Sequence, residues 1–282
     1  PDEIAGLTRE DALAFYRRWY APNNAVVVVA GDVAPDQVFA LAEAHYGPLA
    51  PETLPPRHRA AEPPPAGARR LVLNDARVEQ PSWIRIYTAP SRASAADTAQ
   101  PYALEVLAEI LSGGATARLN RILVVERALA TVAHAWYDAD ALDQGSFGFA
   151  VHPRPGVSPE RLEQALEAEI ARLLKDGVTE AEVSRAKAHL KAQVAYARDD
   201  LHTATQVLGQ ALSTGQSVAD VEAWPQRIAA VSVAAVTAAA RAVLVPDASA
   251  TGLLLPATAT AATPAGAASA RPAALGAKEP QR

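Results

Sequence analysis

The chain of 282 residues contains neither cysteine nor methionine. The absence of cysteine excludes disulfide bonds, thiol redox chemistry and thiolate metal sites. It leaves the cellular compartment open, because reducing and oxidising compartments both tolerate a chain without cysteine. The sequence opens PDEIAGLTRED, with neither an initiator methionine nor an apolar signal segment, so we interpret it as a piece of a longer polypeptide.

Long hydrophobic runs and basic blocks are also missing. The longest apolar runs, such as residues 25–30, are far shorter than the roughly 20 residues of a membrane-spanning helix, so no transmembrane segment is predicted. The net charge is -5, from 26 basic and 31 acidic residues spread along the chain. Nucleic acid is therefore not an expected partner, because its recognition requires a concentrated positive surface.

Sequence patterns of common catalytic sites are absent too. The chain has no phosphate-binding glycine motif and no G-x-S-x-G elbow. It has six histidines, but no two lie three or four residues apart, the spacing that would bring zinc ligands together on a helix. His189 and His202 are predicted on opposite faces of one helix, and His134 could face His152 across a hairpin without a carboxylate to complete a site. We therefore predict no catalytic and no metal-binding residue in this chain.

Residues 1–50 are predicted to fold as helix, strand and helix. Thr8, followed three residues later by Asp11, marks a helix N-cap, and Pro35 marks the first turn of a second helix. Between them, AVVVVAGD (25–32) is a continuous β-branched run of the kind that forms a strand buried on both faces. We interpret this segment as the C-terminal end of a first domain.

Two other segments are poor in core-forming side chains. Residues 51–68 contain six prolines and are predicted to form an extended linker between domains. Residues 257–282 consist mostly of Ala, Thr, Pro and Gly, and are predicted to form a disordered tail. The intervening residues 69–256 are then a second domain.

The second domain is predicted to be α+β, with helices packed on one face of a mostly antiparallel sheet. Its predicted elements are strands at 69–74 and 82–88, helices at 98–111 and 116–127, a hairpin of 131–138 with 146–152, a helix starting at Ser158, helices at 180–213 and 219–245, and a closing strand at 251–255. Since residues 1–50 also run helix, strand, helix, a duplicated architecture is a further interpretation.

The predicted helix at 180–213 opens with a capping box formed by Thr179 and Glu182. Its apolar positions alternate by three and four residues, a pattern that fits a coiled-coil seam as well as an ordinary buried face. The many small alanines favour close packing inside the domain over the coiled coil.

Three segments, taken in order, resemble the pitrilysin/insulinase family of zinc metallopeptidases, the inverted zincins. In LTREDALAFYRRWYAPNNAVVVVAGDVAPDQVFALAEAHYGPL (7–49), a helix ends in Tyr-x-Pro-Asn-Asn and leads into a strand closed by Gly-Asp, as at the end of that family's first domain. ILSGGATARLNRILVVERALAT (110–131) and DGVTEAEVSRAKAHLKAQV (176–194) are similar to two segments of its second domain. The resemblance covers residues 4–256 and implies a family-type domain preceded by the end of a similar one.

The resemblance also implies where the chemistry lies. In this family the metal motif is H-x-x-E-H on a helix of the first domain, so zinc is expected in the full-length parent, upstream of Pro1, and none is expected in this chain. The family's substrate-contacting Arg and Tyr, seven positions apart, fall here on Val124 and Thr131, so no substrate-binding residue is assigned. Arg121 and Arg127 are nearby but displaced by three residues. We interpret residues 110–131 as a core helical hairpin, with Gly113-Gly114 as a helix C-cap.

These inferences lead to one main hypothesis about function and two alternatives. The main hypothesis is the C-terminal portion of a zinc-dependent peptidase subunit that helps to enclose unfolded peptides together with a second, homologous subunit; this fragment alone is expected to be inactive. The first alternative is a non-catalytic partner or interaction subunit without a metal site. The second is a free-standing module, residues 69–256, that binds extended peptide along a sheet edge. The resemblance suggests a periplasmic location.

Overall fold

The computed structural model describes residues 2–57, 63, 66–197 and 199–257. The predicted tail, except Ala257, and residues 58–62, 64 and 65 of the predicted linker therefore lie outside the described residues. The elements, in chain order, are α1 (Asp2–Ala5), α2 (Arg9–Trp19), α3 (Pro35–Tyr46), β1 (Arg69–Asp75), β2 (Ser82–Ala89), α4 (Gln100–Ser112), a π-helical segment (Asn120–Glu126), β3 (Ala130–Asp138), β4 (Gly145–Pro153), α5 (Pro159–Asp176), α6 (Glu180–Ala197), α7 (Leu201–Ser213), α8 (Val218–Glu222), α9 (Trp224–Ala230), α10 (Val233–Val243) and β5 (Ser249–Pro256).

The five strands form one sheet in the order β1-β5-β2-β4-β3. β1 and β5 are parallel, and the other three pairs are antiparallel, which confirms the predicted α+β class with a mostly antiparallel sheet. The predicted hairpin is also confirmed as β3 and β4, and the predicted closing strand as β5. β5 lies between β1 and β2, so the last strand of the domain separates its first two strands in the sheet.

The core lies between one face of this sheet and the helices. Tyr87 on β2 faces Phe147 on β4, and Trp83 faces Val151, and all four side chains are almost completely buried. α5 covers them with an apolar stripe formed by Leu162, Leu166, Ile170 and Leu173. Each such fully buried side chain contributes about 1.5–3 kcal/mol.

The opposite face of the sheet carries no helix among the described elements. On β2 and β3 it leaves Ile84 39%, Ile86 38% and Val132 50% exposed. The alternation along β2 explains the difference, because successive side chains of a strand point to opposite faces. The helices therefore pack on one side only, as predicted.

The N-terminal segment forms its predicted helices. Thr8 caps α2 through a capping box with Asp11, and Pro35 is the first residue of α3. The strand predicted over 25–32 is not formed. Val26 and Val27 remain 56% and 60% exposed, with no neighbouring strand among the described residues. A two-sided buried strand needs backbone partners on both edges and side-chain partners on both faces, and the described part of the chain supplies neither.

Two predicted helices are divided in the structure. The segment 180–213 is broken before Asp200, whose side chain accepts a hydrogen bond from the His202 amide at 2.9 Å and caps α7. His189 and His202 therefore lie on different helices. The segment 219–245 is divided into α8, α9 and α10, and Ser232 caps the last of these. Apolar periodicity continues across such caps, so it does not reveal them.

The packing of α6 decides between the two interpretations of the predicted helix at 180–213. α6 contacts α4 inside the domain, which favours close packing over a coiled-coil seam.

Within the described ranges no single helix is long and apolar enough to cross a membrane, although α9 and α10, bent by 94°, satisfy the length and composition together. In this structure Ile228 of α9 and Val236 of α10 are buried in the core of the domain.

Candidate functional site

The resemblance places the family's substrate-contacting Arg and Tyr on two positions that lie in consecutive elements of the chain, the π-helical segment and β3. Val124 belongs to the π-helical segment, where it packs against the core and is half-buried. Thr131 is exposed near the start of β3, and its hydroxyl donates a hydrogen bond to the His152 carbonyl at 3.3 Å. Neither side chain carries a charge or an aromatic ring, so neither can reproduce the contacts of Arg and Tyr.

Gly113 and Gly114 terminate α4 ahead of this region. Gly113 is the C-cap, and its amide donates to the Glu109 carbonyl at 2.7 Å. A Cβ atom at Gly113 would lie 2.6 Å from that same carbonyl oxygen, which is too close for any other residue. Gly114 has a φ of 112°, a conformation that favours glycine. The predicted C-cap is therefore confirmed, and it turns the chain sharply into the next helical segment.

That segment is wound as a π-helix where an α-helix was predicted. The Arg127 amide donates to the Ile122 carbonyl at 2.9 Å, an i to i−5 bond. Buried Ile122 and Leu123 anchor the segment to the core. The Arg154 guanidinium donates to the carbonyls of Val124 and Ala130, both at 3.2 Å, and so joins the segment to the start of β3. Arg154 is distant in sequence, so local periodicity could not reveal this contact.

Ala128, between the segment and β3, has a φ of 50°. The left-handed conformation is costly for residues other than glycine, and the resembling family pattern has glycine at this position. In the resemblance, Ala128-Leu129-Ala130-Thr131 falls on a Gly-Leu-Ala-Tyr-like strand entry of the family, with Ala128 in the glycine position. The turn into β3 therefore has a backbone conformation that glycine would adopt at lower steric cost.

Beside the turn at Gly113 and Gly114 lies an open groove of about 900 Å³. Arg118 lines the groove and donates to both carboxylate oxygens of Glu182, at 2.9 and 2.7 Å. Glu182 also accepts the Thr179 amide at 2.8 Å, which confirms the predicted capping box of α6. Burial raises the pKa of Glu182, but the hydrogen bonds from Thr179 and Arg118 outweigh burial and hold it below its usual range.

A smaller cavity of about 390 Å³ adjoins the groove and shares some of its lining residues. Here His189 contacts the Glu109 carboxylate, and Gln193 lies 3.1 Å from the His189 ring. Ser112 donates to the Ala135 carbonyl at 2.7 Å. His134 lies opposite Ala150 in the sheet, so it does not face His152 as the hairpin hypothesis proposed.

Zinc, which the family resemblance implies for the parent protein, does not fit the residues described here. Glu109 and His189 meet, but within the described ranges no group of three or more His, Asp or Glu side chains is placed to hold a metal ion. Protein zinc sites use at least three such ligands. No catalytic step can therefore be assigned to a metal on the described part of this chain.

A third cavity, of about 400 Å³, is lined by two arginines that stack on one tyrosine. The guanidinium carbons of Arg92 and Arg227 lie 5.5 and 5.4 Å from the centre of the Tyr102 ring. Arg92 is paired with Glu105, and Arg227 with Asp220 at 2.8 Å. Both cations are neutralised within the domain, so this cluster stabilises the packing of α4 against α9 and has little charge left for a ligand.

Comparison with known proteins places this geometry among peptidases. Residues 6–190 match the family model described as "Peptidase M16 inactive domain". A curated relative, "Zinc protease PqqE" of Helicobacter pylori, is 30% identical over 194 residues, which are 68% of this chain and 42% of that protein. The chain spans about half the length of the curated relatives that it matches.

Solved structures agree with this match. A protease from Helicobacter pylori superposes with a TM-score of 0.82 at 25% identity, covering 90% of this chain and 61% of that one. The first half of the periplasmic protease PqqL from Escherichia coli superposes with a TM-score of 0.69 at 19% identity, covering 90% of this chain and 56% of that one. At that identity the second likeness demonstrates the fold alone.

Proposed function

This chain belongs to the peptidase M16 family, the zinc metallopeptidases that its three segments resemble, and on that premise we propose that it is the C-terminal portion of a zinc-dependent peptidase subunit. In this proposal the chain helps to enclose unfolded peptide substrates, and the zinc motif lies on polypeptide upstream of Pro1. A second homologous half supplies the Arg and Tyr that are absent at Val124 and Thr131.

One observation carries the proposal: the apolar surface of the N-terminal segment. Val26, Val27 and Val29 are 56%, 60% and 51% exposed, in a run whose composition is typical of a central strand. Phe39 on α3 is 70% exposed as well. Apolar area of this extent is costly in water, so it supports burial against the remaining strands of a first domain.

The helix-free face of the second domain supports the enclosing role. Ile84 and Ile86 on β2 are partly exposed there, and so are Leu71 and Leu73 on edge strand β1. Gly252 on β5 lies opposite Ile84. Because glycine has no side chain, the sheet surface is lower there than at the neighbouring isoleucines and leucines. An unfolded peptide exposes apolar side chains along its length, and a broad apolar sheet face can contact them without selecting one sequence.

The experiment uses the full-length parent polypeptide. Its bound metal is measured by inductively coupled plasma mass spectrometry, and its activity is measured on a fluorogenic unfolded peptide with and without the homologous half. We expect one zinc ion per subunit, and cleavage that is lost when the glutamate of H-x-x-E-H is replaced by glutamine. The 282-residue chain is the matched control and should hold no zinc. Absence of both motif and metal from the parent would favour the non-catalytic subunit instead.

The proposed burial of residues 1–50 against the remaining strands of a first domain is tested by a separate experiment. Val27→Asp should abolish folding of the full-length parent, because a charge buried in a completed sheet is strongly unfavourable. In the 282-residue chain the same change should alter the melting temperature little, since Val27 is exposed there. Val125→Asp, at a position 66% exposed, is the control and should be tolerated in both proteins. Equal tolerance of Val27→Asp in the parent would contradict the proposed first domain.

We extend the proposal to the cellular location. The structural neighbour from Escherichia coli is named a periplasmic protease, and the absence of cysteine is compatible with an oxidising compartment. Fractionation of cells that express the tagged parent protein, with a cytosolic marker as control, tests this. Recovery with the cytosolic marker would contradict a periplasmic location.

A further inference from the structure

The groove beside Gly113 and Gly114 brings three arginines together. Arg118 lies just before the π-helical segment, Arg121 lies within it, and Arg185 belongs to α6; we call the space between them, lined also by residues 113–117 and Glu182, the arginine groove. Two acidic residues, Glu109 and Glu182, line it as well. The remaining question is which charges are already paired within the protein.

The three arginines differ in their partners. Arg118 is held by Glu182, and its side chain is only 10% exposed, so it serves the fold. Arg121 lies 3.1 Å from Glu126, and both side chains are about half exposed, at 54% and 52%. An exposed pair of this kind is weak and can exchange partners. Arg185 is exposed and forms no ion pair with the described residues.

The acidic residues of the groove are engaged elsewhere. Glu182 accepts hydrogen bonds from Arg118 and Thr179, and Glu109 contacts His189. Their charges are therefore largely compensated inside the protein. The positive charge that faces solvent comes from Arg121 and Arg185.

The loop adds hydrogen-bond donors to this charge. The amides of Ala115 and Thr116, and the Thr116 hydroxyl, donate to no acceptor in the described part of the chain. Successive free backbone amides in a turn attract anions, and guanidinium groups pair with carboxylates in a planar, two-bond geometry. The groove thus combines free amides with mobile cations.

We propose that the arginine groove binds a carboxylate of an extended peptide, either an acidic side chain or a C-terminal carboxylate. Arg121 and Arg185 supply the charge, and the loop amides of residues 115 and 116 supply further hydrogen bonds. The inference rests on the proposed peptide-enclosing function and names its substrate class.

Fluorescence anisotropy with the 282-residue chain tests the proposal. Three fluorescein-labelled extended peptides differ at one point: one has a central glutamate and a C-terminal amide, one has glutamine and the amide, and one has glutamine and a free C-terminal carboxylate. The first or the third should bind about tenfold more tightly than the second, because a charge-assisted hydrogen bond is stronger than a neutral one. The difference should shrink as NaCl is added. The two charged peptides distinguish the two sources of the carboxylate.

Matched variants locate the binding site. Replacing both groove arginines, R121Q/R185Q, should remove the tenfold preference. Replacing two exposed arginines outside the groove, R69Q/R161Q, changes the net charge equally and should preserve it. The reversal R121E/R185E should make a peptide with a central lysine bind more tightly than the glutamate peptide. Circular dichroism establishes that each variant is folded.

The outcomes separate this inference from the proposed function. Equal binding of all three peptides, or equal behaviour of R121Q/R185Q and R69Q/R161Q, would overturn the arginine groove and leave peptide binding intact. Failure of the 282-residue chain to bind any of the peptides would also overturn the arginine groove, because the groove is complete in this chain. The zinc and cleavage measurements on the parent test the peptidase assignment independently of these titrations.

Discussion

Arg70 on β1 donates to both carboxylate oxygens of Glu163 on α5, at 2.7 and 2.8 Å, and so joins the edge strand to the helix that covers the core. Arg85 reaches the same carboxylate at 3.2 Å. Glu163 is only 8% exposed, so its charge depends on these two partners.

Glu163→Gln is therefore expected to destabilise the domain by about 2–3 kcal/mol, because it leaves the Arg85 charge in a buried setting with one partner fewer. Urea denaturation followed by tryptophan fluorescence measures the free energy of unfolding. Glu167→Gln is the control, since Glu167 pairs with the same Arg85 but is half exposed; it should cost less than about 1 kcal/mol. Equal losses would contradict the central role of Glu163.

The same interaction predicts a pH dependence. Burial raises the pKa of Glu163, but the hydrogen bond from Arg70 and the charges of Arg70 and Arg85 outweigh it, so the folded-state pKa is lowered. A lowered pKa stabilises the fold fully above the unfolded value of about 4.3, and the stabilisation is lost as the pH falls through the folded value. The difference in unfolding free energy between wild type and E163Q should therefore be constant near neutral pH and decrease below about pH 4.

Ala128→Gly is expected to stabilise the protein by about 0.5–1 kcal/mol, because Ala128 has a left-handed backbone that glycine adopts without steric cost. Chemical denaturation measures the change. Ala171→Gly is the matched control within helix α5, where glycine should destabilise by about the same amount. Destabilisation at both positions would show that the φ of Ala128 carries no strain.

Gly148→Ala is expected to destabilise by about 1–3 kcal/mol, since the new Cβ would lie 2.1 Å from the Trp136 ring and would have to displace it. A shift in tryptophan emission should accompany the loss. Gly209→Ala on α7 is the control, because no atom lies within 4 Å of its Cβ position and helical alanine is favoured. An unshifted spectrum and unchanged stability for Gly148→Ala would contradict the packing of Trp136 on β4.

The double change V124R/T131Y tests which half of the peptidase provides the substrate contacts. If a homologous partner supplies the Arg and Tyr, kcat/KM of the assembled parent should change less than about threefold, a difference well under 1.4 kcal/mol. A tenfold rise would show that this half itself faces the reacting peptide. V125R/V132Y, at two exposed neighbouring positions, controls for the added charge and ring.

Much of the fold could be predicted because the signals are local. The caps at Thr8, Ser158 and Thr179 involve groups within three residues of each other, and the structure confirms each of them. Phe147 and Phe149 are likewise buried together on one face of the hairpin, since strand geometry alone sends alternate side chains to opposite faces.

The candidate site was less predictable from the residues. The resemblance identified Val124 and Thr131 as the altered positions, but the arginine groove depends on α6 lying beside the turn after α4. Arg121 and Arg185 meet across that interface although they are far apart in the sequence. The π-helical segment also receives a hydrogen bond from the distant Arg154, which donates to the Val124 carbonyl.

The sequence by itself determined the class of the domain, the starts of α2, α3, α5 and α6, and the family, because these depend on composition, spacing and short motifs. Only the tertiary structure decided that β1 runs parallel to β5, with Arg69 beside Ala250, and that the valine run at 25–32 forms no strand. Both depend on partners from elsewhere in the polypeptide. A strand or a binding groove is completed by residues that its own segment does not contain, and their presence is a property of the assembled fold.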